Sequence, residues 1–160
     1  MGAIATQDFS SPTKWTGSAP GGAPTSPGVY VFQLGEGKTI HRLRGESAII
    51  YVGSTARGSG GLKQRLRSHN KSSLLNLIKA EIGEIEVSWK IVPTHKRALF
   101  DEAEILWKYL QDHLELPPMN RQRSSLKNYK QLRNTLEDTS MARDKKDALW
   151  EQWSQIVWFE

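Results

Sequence analysis

Gly28-Val29-Tyr30 and Tyr51-Val52-Gly53 are the two stretches on which the reading of this chain turns. Each sets a tyrosine beside a glycine on a run of β-branched and aromatic residues, a composition suited to a pleated, half-buried surface. They predict strands over 29–34 and 48–52. Glycine inside or beside a strand marks a place where another backbone, a side chain or a ligand comes close. Between the two runs, Gly35-Glu36-Gly37-Lys38 reads as a turn, 39–43 as a return strand and 44–47 as a second turn.

Downstream, 53–61 (GSTARGSGG) is a loop by composition. A helix begins near Leu62, with Leu62, Leu66 and His69 on one stripe. A second helix is expected over 73–82, stopped by Gly83, followed by a strand over 84–92 closed by Pro93. The strongest helical pattern covers 96–114: Leu99, Ala103, Leu106 and Leu110 recur three and four residues apart, Phe100 and Trp107 widen the face, and Pro117-Pro118 ends it. Two further helices are expected over 126–137 and 142–156, the last carrying an apolar stripe of Leu149, Trp150, Trp153, Ile156 and Val157. Upstream, 1–26 is rich in Ser, Pro, Gly and Thr and reads as a flexible arm, with Trp15 as its one candidate anchor.

At 160 residues, 38% apolar and 24% charged, the chain has material for one core and not two. No apolar run approaches the roughly 18–20 residues that span a bilayer, and no basic-then-apolar leader is present, so no membrane partner is expected. The absence of cysteine excludes disulfides and thiolate metal sites and fits a cytoplasmic location. A net charge of +5 favours a polyanionic partner. Arg57, Lys63, Arg65, Arg67, His69 and Lys71 crowd one segment without an acid, and phosphate contact through Arg57, Lys63, Arg67 and Lys71 is the reading set against a merely solvated face.

Cutting a phosphodiester needs a base for water, positive charge on the phosphoryl oxygens and help for the leaving oxygen. Tyr30 and Tyr51 are candidates for proton handling, although strand tyrosines also simply fill sheets. Arg65 and His69 lie four residues apart, the spacing of one helix face; arginine supplies a forked donor for phosphate and histidine can relay a proton. Asp101, Glu102 and Glu104 are acids on the long helix, any one of which can hold Mg²⁺ beside a phosphate. Glu102 and Glu104 project about 200° apart, so only one can face a site, and position alone does not choose between them. Asn120, after two prolines, is either a turn residue or an amide that ties the loop to a strand.

This succession resembles the GIY-YIG family of metal-dependent endonucleases over about residues 27–121. Gly28-Val29-Tyr30 is similar to the first motif and Tyr51-Val52-Gly53 to the second. Leu62-x-x-Arg65-x-x-x-His69 resembles the arginine helix, and Pro118-Met119-Asn120 the closing region. The resemblance implies an α+β fold: a small three-stranded antiparallel sheet flanked by helices, here with extra C-terminal helices over 122–160. These would pack on the domain or on a partner, including a second copy, through the tryptophans. It implies a DNA endonuclease that uses Mg²⁺ or Mn²⁺ and leaves 5′-phosphate and 3′-hydroxyl ends. Tyr30 would take a proton from water, directly or through a neighbour, Tyr51 would position water or phosphate, and Arg65 would stabilise phosphate charge. Glu104, matched by its distance to Leu106 and Trp107, would hold the metal, His69 would assist, and Asn120 would buttress the site. Which of Tyr30, Tyr51 and His69 is the general base stays open. Three departures stand out: the tyrosines are 21 residues apart, implying an insertion at 35–47; the 57–61 loop is long; and Ser54 occupies a place where many members carry lysine. The alternative function is a non-catalytic nucleic-acid-binding or scaffolding module on the same fold.

Overall fold

The computed structural model describes residues 9–55 and 60–120. The expected helices over 126–137 and 142–156, the tryptophan stripe and Arg57 lie outside the described residues. In chain order the elements are β1 (Thr13–Lys14), β2 (Gly28–Leu34), β3 (Ile40–His41), β4 (Glu46–Ser47), β5 (Ile49–Ser54), α1 (Gly61–Arg67), α2 (Ser73–Glu81), β6 (Ile85–Ile91) and α3 (His95–His113). This is a mixed α+β chain with antiparallel pairing throughout.

The sequence GVYVFQL gives β2 apolar side chains on both faces, so it takes the interior of the sheet, between β6 and β5. On one face Val29 and Val31 join Val52 and pack against Ala98, Leu106, Trp107 and Leu110 of α3. On the other, Tyr30, Phe32 and Leu34 meet Leu62 and Leu66 of α1 and Leu75 of α2. The β2–β5 register shifts between Phe32 and Gln33, so Ile50 is an extra residue in β5, and Ile50 and Tyr51 both join the α1 side.

The sheet has four strands, in the order β1-β6-β2-β5, against the three expected. The added strand corrects the reading of the N-terminal segment, whose described part is fastened to the domain. Thr13 and Lys14 pair with Val87 and Glu86, and the Ser10 and Trp15 amides donate to the Trp89 and Ile85 carbonyls. Trp15 is buried, edge-on to Phe32 at 5.0 Å. Further along, the Pro24 and Ser26 carbonyls accept from the Lys63 and Leu62 amides, satisfying donors that the start of α1 leaves without helical partners.

The expected return strand at 39–43 is also corrected. Only Ile40 and His41 form a strand, and they pair with β4 as a separate two-stranded hairpin. That hairpin grips the end of α3. Arg44 donates from Nε to the Asp112 carbonyl (2.9 Å) and from Nη2 to that of Gln111. Arg42 reaches the Leu116 carbonyl (2.6 Å) and pairs with Glu115, and His113 Nδ1 bonds to the Arg44 carbonyl (2.8 Å). Arginines on the last carbonyls of a helix satisfy orphan acceptors and suit its dipole. Beyond α3, Leu114 turns left-handed (φ 62), and the Met119 amide returns to the Ile50 carbonyl at 3.0 Å. No helix among the described residues is long and apolar enough to cross a membrane.

If the N-terminal segment is part of the core, Trp15→Ala costs about 3–5 kcal/mol in chemical denaturation. Leu43→Ala, at a side chain 74% exposed on the hairpin, stays within about 0.5 kcal/mol. A Trp15→Ala loss no larger than that of Leu43→Ala would contradict the packing described.

Candidate active site

Two missing side chains create the site. Gly53 lies opposite Tyr30 in the ladder, and a Cβ there would fall 2.5 Å from Tyr30 Cζ and Oη and 2.8 Å from Tyr51 Cε1. Gly28 does the same for α1: a Cβ would fall 2.6 Å from Leu62 Cδ1 and 2.4 Å from the Lys90 carbonyl oxygen. The first glycine lets the Tyr30 ring lie across β5, and the second lets α1 settle against β2.

α1 is shorter than expected and ends at Arg67. His69 therefore sits in the turn that follows, its amide bonded to the Leu66 carbonyl at 3.0 Å. The turn lays the imidazole against three rings, with centroids 5.6 Å from Tyr30, 5.2 Å from Phe32 and 5.2 Å from Tyr51. His69 Nε2 is 2.8 Å from Tyr30 Oη, a hydrogen bond whose direction depends on which group carries the proton. The Tyr30 and Tyr51 rings lie 6.0 Å apart, tilted by 40°.

Arg65 is exposed at the last turn of α1, and its Nε donates to the carbonyl of Ser54, the last residue of β5, at 3.3 Å. Lys63, Arg67 and Lys71 flank it, the last two exposed.

A carboxylate bonded at this place is Glu102, whereas the motif match favoured Glu104. The row Ala98–Glu102–Leu106–Leu110, at helical i+4 spacing, is buried against the sheet. Glu104 projects about 200° further round the helix. The Ser54 hydroxyl donates to Glu102 Oε2 at 2.5 Å, with both residues buried. Glu102 is also the acid whose charge reaches both phenols. Asp101 is engaged elsewhere, by Arg97 (3.0 Å) and Lys90 (3.4 Å).

Asn120 is a tie, as one reading of it held. Its Oδ1 accepts from the Val52 amide (2.9 Å) and its Nδ2 donates to the Val52 carbonyl (2.8 Å), all buried. On its other edge β5 thus gains a side-chain mimic of a neighbouring strand. Ser54 had no role in the motif reading, and Glu102 was one of three candidate acids, passed over in the motif match for Glu104. The signal for Glu102 was available, as an acid inside an i+4 row of otherwise apolar residues.

Burial dominates the electrostatics. It pushes the Tyr30 phenol well above its ordinary value; the charges of Tyr51 and Glu102 add to this and Arg65 opposes it. Tyr51 is raised for the same leading reason, with Glu102 adding and Arg65 opposing. His69 is lowered to about 4, by burial first and then by Arg65. At neutral pH the site therefore holds two protonated phenols, a neutral imidazole and a guanidinium.

A hard divalent cation takes carboxylate oxygens as ligands, and Glu102 is a buried carboxylate of that kind. Among the described residues no three His, Cys, Asp or Glu side chains cluster as a metal cage. No family model, curated protein or solved structure matches the chain.

Two outcomes follow from this geometry. The His69 ring, followed by NMR against pH, titrates with a midpoint near 4; a midpoint at 6.5 would contradict the burial described. Since the folded value lies below the unfolded one, the unfolded chain binds the extra proton between them. This contribution to stability is complete above about 6.5 and is lost as pH falls through about 4. Asn120→Ala orphans both Val52 groups and costs about 2 kcal/mol or more in denaturation, and a loss below about 0.5 kcal/mol would show the clamp to be dispensable.

Proposed function

We propose that this chain is a divalent-metal-dependent DNA endonuclease of the GIY-YIG type, hydrolysing phosphodiesters to 5′-phosphate and 3′-hydroxyl ends. The observation that carries the reading is the convergence of Tyr30, His69, Tyr51, Arg65 and Glu102 around the end of β5, with Asn120 fixing that strand. Each of the three demands of phosphodiester hydrolysis then has a side chain of suitable chemistry.

Arg65, held through Nε, presents its Nη groups to a phosphate, and the basic flank of Lys63, Arg67 and Lys71 carries the neighbouring backbone. A phenol with a raised pKa is a poor base by itself. Tyr30 is not by itself, because neutral His69 stands 2.8 Å from its oxygen. As water attacks phosphorus, its proton passes to the Tyr30 oxygen while the phenolic proton passes to His69 Nε2. Burial first, and then the Arg65 charge, hold the imidazole pKa down in the free protein. A phosphate on Arg65 offsets that charge, so the substrate raises the basicity of the group that receives the proton. Tyr51, beside both, orients the water. Glu102 would hold Mg²⁺ or Mn²⁺, which supplies charge stabilisation at the leaving oxygen when bound.

The test is nicking of supercoiled plasmid by wild type, Glu102→Ala and Glu104→Ala, with Mg²⁺, Mn²⁺ or EDTA. The expected result is metal-dependent nicking that EDTA and Glu102→Ala abolish and Glu104→Ala retains. Loss on Glu104→Ala alone would return the metal to Glu104. DNA binding without cleavage by wild type under every condition would favour a non-catalytic binding module.

A further inference from the structure

Ser54 is where the acid and the arginine of this site meet, through two different groups of one residue. Its hydroxyl donates to Glu102 Oε2 (2.5 Å), and its carbonyl accepts from Arg65 Nε (3.3 Å). We propose that Ser54 is a positioning residue that aims the Glu102 carboxylate at a divalent cation and holds it in register with Arg65. This rests on the nuclease reading above.

The residue is well placed to impose position. It lies opposite Val29 in the β2–β5 ladder. The next residue, Thr55, is fully buried and bonded to Gly28 twice: its amide to the Gly28 carbonyl (3.0 Å), and its Oγ1 to the Gly28 amide (2.9 Å). Two residues earlier, Val52 is held by Asn120. The hydroxyl thus projects from backbone fixed on both sides. A serine hydroxyl has one hydrogen to donate, and a carboxylate has about four lone-pair sites, so this bond restrains Oε2 while taking one acceptor position of several. Partners that orient a ligating carboxylate set metal affinity as the ligand itself does. The carbonyl bond to Arg65 is independent of the side chain, so deleting the hydroxyl separates the two functions.

The experiment compares the full chain as wild type, Ser54→Ala, Ser54→Thr and Glu102→Ala. Binding of Mn²⁺ alone is read by paramagnetic broadening of the Ala103 amide signal in NMR, without DNA. Plasmid nicking against Mn²⁺ concentration and DNA affinity in EDTA accompany it. Ser54→Ala is expected to need about tenfold more Mn²⁺ both for half-broadening and for half-maximal nicking, with DNA affinity in EDTA unchanged. Ser54→Thr, which keeps the hydroxyl, restores the wild-type Mn²⁺ dependence. Wild-type Mn²⁺ dependence in Ser54→Ala would overturn the proposal and leave the nuclease reading standing. Equal loss in Ser54→Ala and Ser54→Thr would also overturn it, by assigning the effect to packing. A wild-type protein that neither broadens with Mn²⁺ nor nicks DNA would overturn both.

Discussion

The Tyr30 ring occupies space that exists because position 53 has no side chain, and the rest of the site is arranged around that contact. With a Cβ at Gly53 set to fall 2.5 Å from the phenol oxygen, any larger residue displaces the hydroxyl from His69. The contact also explains why tyrosine and glycine recur together in the two motifs. β2 supplies the ring and β5 supplies the gap, and antiparallel register sets one opposite the other. His69 then closes the stack over Tyr30, Phe32 and Tyr51, from a turn rather than a helix.

Around this contact the chain spends much of its irregular structure on holding β5 and α3 in place. Asn120 mimics a strand partner for Val52, and the Arg42–Arg44 segment caps the carbonyls at the end of α3. The segment between the tyrosines is thereby a brace. It fixes where α3 stops, and so where the chain turns back to deliver Asn120. Glu102 and Ser54 meet between these two fastenings, on the α3 side of the sheet, while the phenols and imidazole lie on the other. At the end of β5 the Ser54 carbonyl also accepts from Arg65, so one residue touches the acid and the arginine.

Much of this was legible in the residues. The strands 28–34 and 49–54 follow from β-branched and aromatic runs beside glycine, and α3 follows from its period and the prolines beyond it. The N-terminal strand was not. Thr13 and Lys14 are exposed residues at a sheet edge, two residues long, and their pairing is set by a distant strand and by burial of Trp15. The motif match favoured Glu104 by its distance to Leu106 and Trp107, whereas the acid in the row Ala98–Glu102–Leu106–Leu110, which faces the sheet, is Glu102. Spacing to a neighbour says nothing about helix rotation; only the row of buried side chains does. His69 was placed on the right side of the site for a reason that does not hold, since α1 ends two residues before it.

The central claim is that Tyr30 handles a proton, with His69 as its acceptor, during phosphodiester hydrolysis. The most direct measurement is the single-turnover nicking rate of Tyr30→Phe, which removes one oxygen and keeps the ring over Gly53. The expected result is a fall of about 10²- to 10⁴-fold with DNA affinity retained. A rate within a few-fold of wild type would contradict the claim and leave Tyr30 as a packed ring in the sheet.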